Sequence, residues 1–107
     1  MDPADDVAPE PIVAPRLRVR LYVAGESPNS LAALTTLRRG LARLPAGDVE
    51  LEVLDVLRDP ERGAKDGVFM VPMLVRLSPL PERRVLGSLQ ERALLASVLG
   101  LEEASRD

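Results

Sequence analysis

Residues 17–44 carry the strongest pattern in the chain: LRVRLYVA (17–24), then Gly25, Glu26, Ser27, Pro28 and Asn29, then SLAALTTLRRGLARL (30–44). The first eight residues alternate. Leu17, Val19, Leu21 and Val23 point one way and Arg18, Arg20 and Tyr22 the other, the period of a strand with one apolar face. Gly25 breaks it. Ser27 before Pro28 is a helix start, a hydroxyl cap with proline at the first helical position. Leu31, Leu34, Leu37, Leu41 and Leu44 then recur at steps of three and four and predict one apolar helical stripe. Arg38, Arg39 and Arg43 lie off the stripe near the helix end, where the dipole favours cations. Pro45 and Gly47 stop the helix.

Downstream, VELEVLDVL (49–57) predicts a second strand with Val49, Leu51 and Val53 inward. Strand, helix and strand make a βαβ unit, parallel with a right-handed crossover. Asp59 and Pro60 repeat the cap-plus-proline signal for a short helix to Asp66. VFMVPMLVRL (68–77) is apolar but contains Pro72, which fits only a strand start, an edge or a cis turn. Pro79 and Pro81 force a turn, and RVLG (84–87) predicts a short antiparallel strand. Ser88 and Glu91 form a capping box for a helix to about Leu99, ended by Gly100, with Leu94, Leu95, Val98 and Leu99 inward. The order β-α-β-α-β-β-α, a mixed sheet with helices on both faces, is an α/β thioredoxin-like arrangement.

Composition narrows the chemistry. The 107 residues suffice for one core, and with one Tyr and one Phe that core must be aliphatic. Cys, His and Trp are absent. That excludes disulfides, thiol catalysis and thiolate metal sites, and it removes the usual base near neutral pH. Domains of this fold do redox chemistry with a C-x-x-C turn before the first helix; here that turn is Ser27-Pro28-Asn29-Ser30, and serine cannot cycle through a disulfide. No catalytic residue, metal site or cofactor is expected, and the chain reads as a non-enzyme.

The net charge of −3 is unevenly spread. Residues 1–15 hold Asp2, Asp5, Asp6 and Glu10, no base, and four prolines, and are expected to form a disordered tail. The domain is expected to span 16–101, with a short polar tail at 102–107. Outside the acidic tail, 14 bases face 13 acids, too little field to grip nucleic acid. No apolar run approaches the ~20 residues of a membrane span and no signal peptide is visible, so a cytoplasmic protein is expected.

Among single residues, Arg18 and Arg20 read as solvated, and Asp55 and Asp59 as a strand end and an N-cap. Met70 and Met73 read as core filler, Gly25 and Gly87 as backbone devices. Tyr22, on the polar side of its strand, reads as an exposed contact anchor. Arg38, Arg39 and Arg43 form either a docking group for an acidic surface or simply a helix-end charge group.

The run LYVAGESPNSLAAL (21–34) resembles the first strand and helix of the KaiB family of bacterial clock proteins. The likeness continues through VLDVLRDPE (53–61), VPMLVRL with its following prolines (71–81) and VLGSL (85–89), and so covers about 16–101. The resemblance implies a non-enzymatic protein that binds the hexameric ATPase KaiC in a thioredoxin-like form. It also implies a second, ground-state form with a rearranged C-terminal half, assembled as a tetramer. Partner contacts would then fall on Tyr22, Ser27, Asn29, Arg38, Arg39 and Arg43, and the switch on Pro72, Pro79, Pro81, Gly87 and Ser88. The run LLASVLGL (94–101) is compatible with either a helix or a buried strand. The family commonly has Thr-Pro-Thr at Val71-Pro72-Met73, three prolines at Pro79-Leu80-Pro81 and Gly-Asp at Gly87-Ser88, departures confined to the switching half. The other functional expectation is a sensory or adaptor domain acting with a histidine kinase in trans.

Overall fold

The computed structural model describes residues 15–101; the acidic tail expected at 1–15, apart from Pro15, and the polar tail at 102–107 lie outside them. The elements are β1 (Leu17–Val23), α1 (Pro28–Leu41), β2 (Val49–Asp55), α2 (Pro60–Lys65), β3 (Met73–Ser78), β4 (Arg83–Leu86) and α3 (Arg92–Leu99). The strands form one sheet in the order β2-β1-β3-β4. β1 runs parallel to β2 and antiparallel to β3, which pairs antiparallel with β4. This is the expected thioredoxin-like order; the alternative with a rearranged C-terminal half is not the packing seen here.

Alternation in β1 sends Leu17, Val19, Leu21 and Val23 into the main core. There they meet Ala33 and Leu37 of α1, Leu74 and Val85 of the neighbouring strands, and Leu95, Val98 and Leu99 of α3. The two helices approach closely at Gly40, where an added Cβ would come within 2.9 Å of Leu99 Cδ1. The α1 stripe is narrower than its leucines suggest. Ser30, Ala33 and Leu37 are the buried positions, while Leu31 is 48% exposed. Val53 at the sheet edge is likewise exposed, and Met70 is exposed although Met73 is core.

The second face of the sheet is covered over Tyr22 but not over Arg18, which stays exposed as expected. Tyr22 is 1% exposed and packs with Leu54, Val68, Met73 and Val75 under α2 and the segment after it. Its hydroxyl donates to Asp66 Oδ2 at 2.7 Å and accepts from Arg20 Nη1 at 3.1 Å. Arg62 Nε donates to the same carboxylate oxygen at 3.0 Å. Arg20 also reaches Glu52 at 2.6 Å, and Arg18 reaches Glu50 at 3.2 Å. Burial raises the Tyr22 phenol above its ordinary value. The Tyr22 hydroxyl, opposed by partial burial and helped by Arg62 and Arg20, holds the Asp66 carboxyl below its own. Arg84 of β4 donates to Asp66 O at 2.8 Å, so this cluster touches three parts of the chain.

The C-terminal half differs from expectation at one boundary. Helix α3 begins at Arg92, with Glu91 at its cap, and not at Ser88. Leu89 is the reason: it is buried and sits at φ +67°, a left-handed conformation that cannot start a helix. Gly100 ends α3 in the left-handed conformation, as expected. Arg76 of β3 is only 9% exposed. Its guanidinium donates to Val98 O at 3.2 Å and Pro81 O at 2.9 Å, while Nε has no partner.

Two outcomes test this packing. Leu37→Ala should cost about 2–5 kcal/mol in urea unfolding, whereas Leu31→Ala should stay within about 0.5 kcal/mol; equal effects would mean the stripe is buried as the leucines alone suggest. Tyr22→Phe should cost about 1–2 kcal/mol at neutral pH. Because the Asp66 carboxyl is lowered in the folded state, its contribution is present above the ordinary carboxylate value and is lost as pH falls through the lowered one. The difference between wild type and Tyr22→Phe should therefore shrink below about pH 4; a difference constant with pH would exclude the Asp66 linkage.

Candidate functional site

The turn from β1 into α1 is built by hydrogen bonds from short side chains. Gly25 takes φ +57°. Ser27 caps α1, its Oγ accepting from Ser30 N at 3.4 Å, and Pro28 occupies the first turn. Ser27 Oγ also donates to Ser30 Oγ at 2.8 Å, and Ala24 N donates to Ser30 Oγ at 3.1 Å. Ser30 is buried and fully engaged, while Pro28 and Asn29 are exposed. From the end of β2, Asp55 Oδ1 accepts from Gly25 N at 3.0 Å and Leu57 N at 2.9 Å. Those two backbone donors hold its carboxyl below the ordinary value. Asp59 caps α2 by accepting from Arg62 N. Asp55 and Asp59 are thus structural, as expected.

The turn opens onto a shallow groove of about 440 Å³ with Leu31, Leu34, Val53 and Leu54 along its floor and Glu26 and Arg58 at its rim. Leu31, Val53 and the nearby Leu57 are exposed large aliphatics, an apolar surface next to a polar turn. Asp55, Asp59 and Ser30 also line this groove, and each accepts the structural hydrogen bonds given above. Among the described residues no cluster of carboxylates could hold a metal, and no helix is long and apolar enough to cross a membrane.

Pro72 lies at the same end of the sheet. Met73, the next residue, pairs with Tyr22, the penultimate residue of β1. The Val71–Pro72 bond is cis, as are the bonds before Pro79 and Pro81. Pro72 O accepts from Gly87 N at 2.9 Å, and Gly87 takes φ +99°. Pro72, Gly87 and the adjacent Ser88 are therefore held together, while Pro79 and Pro81 lie at the opposite end of β3.

The residues expected to touch a partner do not all converge. Ser27 and Asn29 stand at one end of α1 and Arg38, Arg39 and Arg43 at the other; Asn29 and Arg39 are separated by about 15 Å along the helix axis. All three arginines are exposed. Tyr22 belongs to neither group: its ring is buried and its hydroxyl committed to Asp66, so it is not the exposed anchor expected from alternation. Sequence reading missed the apolar groove, because Leu31 was assigned inward with the rest of its stripe.

Three comparisons bear on this geometry. A family model described as the KaiB domain matches residues 20–101. A protein of Prochlorococcus marinus named circadian clock oscillator protein KaiB is 43% identical over 89 residues, covering 81% of this chain and 76% of that protein. A Synechococcus sp. protein of the same name is 42% identical over 91 residues, covering 83% of each. Among solved structures, the N-terminal domain of Synechococcus elongatus SasA superposes with a TM-score of 0.69 at 19% identity, covering 92% of each chain. Chloroplastic thioredoxin z gives 0.67 at 18% identity, over 81% of this chain and 79% of that one. These two likenesses establish the thioredoxin-like fold, and the family model together with the sequence matches establishes that the chain belongs to the KaiB family of circadian clock proteins.

Proposed function

We propose that this chain is a non-enzymatic docking protein that binds a KaiC-like hexameric ATPase and so regulates a clock or a clock-derived signalling system in the cytoplasm. The observation that carries the reading is the serine turn. Where redox domains of this fold place thiols, this chain has hydroxyls spent on capping a helix, beside an exposed apolar groove. A surface of that kind suits association and has no chemistry to perform. Membership of a family whose curated members are named as clock oscillator proteins supports the same reading.

The contact surface is the exposed side of α1: Asn29 and Leu31 near the groove, Arg38, Arg39 and Arg43 towards the other end. Leu31, exposed where Tyr22 is buried, is the apolar anchor of this surface. The arginines supply orientation and association rate. A switching second packing of residues 58–101, centred on Pro72, Pro79, Pro81, Gly87 and Ser88, and assembly with further copies of the chain are part of the same proposal.

Size-exclusion chromatography of the purified chain with a KaiC-like ATPase from the same genome should give co-elution. Leu31→Asp should weaken binding by about tenfold or more, ~1.4 kcal/mol, and Arg38→Gln with Arg43→Gln should slow association and flatten its salt dependence. Co-elution with a histidine kinase and with no ATPase would instead favour the adaptor reading.

A further inference from the structure

We propose that the cleft between the end of α1 and the start of α3 is a docking site for the acidic segment that precedes β1, residues 1–14 of this same chain. The cleft measures about 570 Å³ and is floored by Leu89, Leu95 and Leu101. Arg39, Arg43 and Arg92 also line it, and none of its lining residues is acidic. All three arginines are exposed. None forms an ion pair among the described residues, whereas Arg18 and Arg20 on the sheet are both paired.

Unpaired guanidiniums over an aliphatic floor select an occupant that is both anionic and apolar. The segment DPADDVAPEPIV (2–13) has that composition: four carboxylates, no base, and Val7, Ile12 and Val13 among them. The segment at 102–107 has acids too, but it includes Arg106 and no side chain larger than alanine's among its apolar residues. Position agrees with composition. Arg16 lines a smaller cavity with Leu44 and Gly100, the chain neighbours of Arg43 and Leu101 in the cleft. The segment therefore joins the domain next to the site it would fill. The 14 residues are joined directly to Pro15, and a tether that short gives an effective concentration in the millimolar range, so weak contacts suffice.

Arg39 and Arg43 are also part of the surface assigned to the ATPase, and an occupied cleft would withhold them from it. The inference itself does not depend on that assignment, because its test needs this chain alone. The chain has no cysteine, so Ala8→Cys gives a single nitroxide site in the full-length protein. Amide spectra should show broadening concentrated on 36–43 and 89–96. The broadening should be relieved at about 1 M salt, where screening acts over about 3 Å, and in a variant carrying R39Q, R43Q and R92Q. Mixing spin-labelled chain without isotope with isotope-labelled chain without nitroxide should leave the latter sharp, which places the contact within one molecule. Broadening spread evenly over the domain, centred on Leu31, Val53 and Leu57, unchanged by the three substitutions, or transferred in the mixed sample would each overturn the proposal.

Discussion

Strand β1 is the central constraint, because it has neighbours on both edges and is covered along its inner face and, at Tyr22, on its outer face as well. Its inner face presents no difficulty: four aliphatic side chains meet two helices. The outer face carries Arg20 and Tyr22 beside the exposed Arg18, and covering the polar groups of Arg20 and Tyr22 costs free energy unless each finds a partner. The chain solves this with Asp66. One carboxylate receives the tyrosine hydroxyl and Arg62 Nε, with Arg20 alongside at 3.6 Å. That lets Tyr22 serve as the large residue of an otherwise aliphatic second core. The connection after α2 is held against the sheet by the same group.

How much of this was legible depended on whether local pattern or distant partners decided each position. Element order, strand directions and the serine cap followed from alternation, leucine spacing and the Ser-Pro and Asp-Pro pairs, all of which act within a few residues. Tyr22 was misplaced because alternation reports which face a residue is on and not what covers that face. The cover here comes from a segment 44 residues away. Leu31 was misplaced because α1 lies on the sheet near the centre of its stripe, where Ala33 and Leu37 are, and leaves the first leucine over the groove. The α3 start was misplaced because Ser88 and Glu91 form a valid local cap signal, overridden by the burial of Leu89 in a left-handed conformation.

The functional region shows the same division. That the turn holds no thiol and no imidazole could be read from composition alone. That it adjoins an apolar groove could not, since the groove depends on how β2 ends relative to α1. The charges divided likewise. Arg20, expected to be solvated, proved structural, while Arg39 and Arg43 are exposed and have no ion-pair partner among the described residues.

Arg76 has consequences for how the C-terminal half can move. Its guanidinium is inside the protein, and among the described residues it donates to the carbonyls of Val98 and Pro81 while Nε has no partner. Lifting α3 away while β3 stayed in place would break the Val98 hydrogen bond and wet the guanidinium, leaving Pro81 O as its partner. The last helix and the proline loop are thus tied to the strand beneath them through one side chain, and a rearrangement of either loses a charge-assisted hydrogen bond.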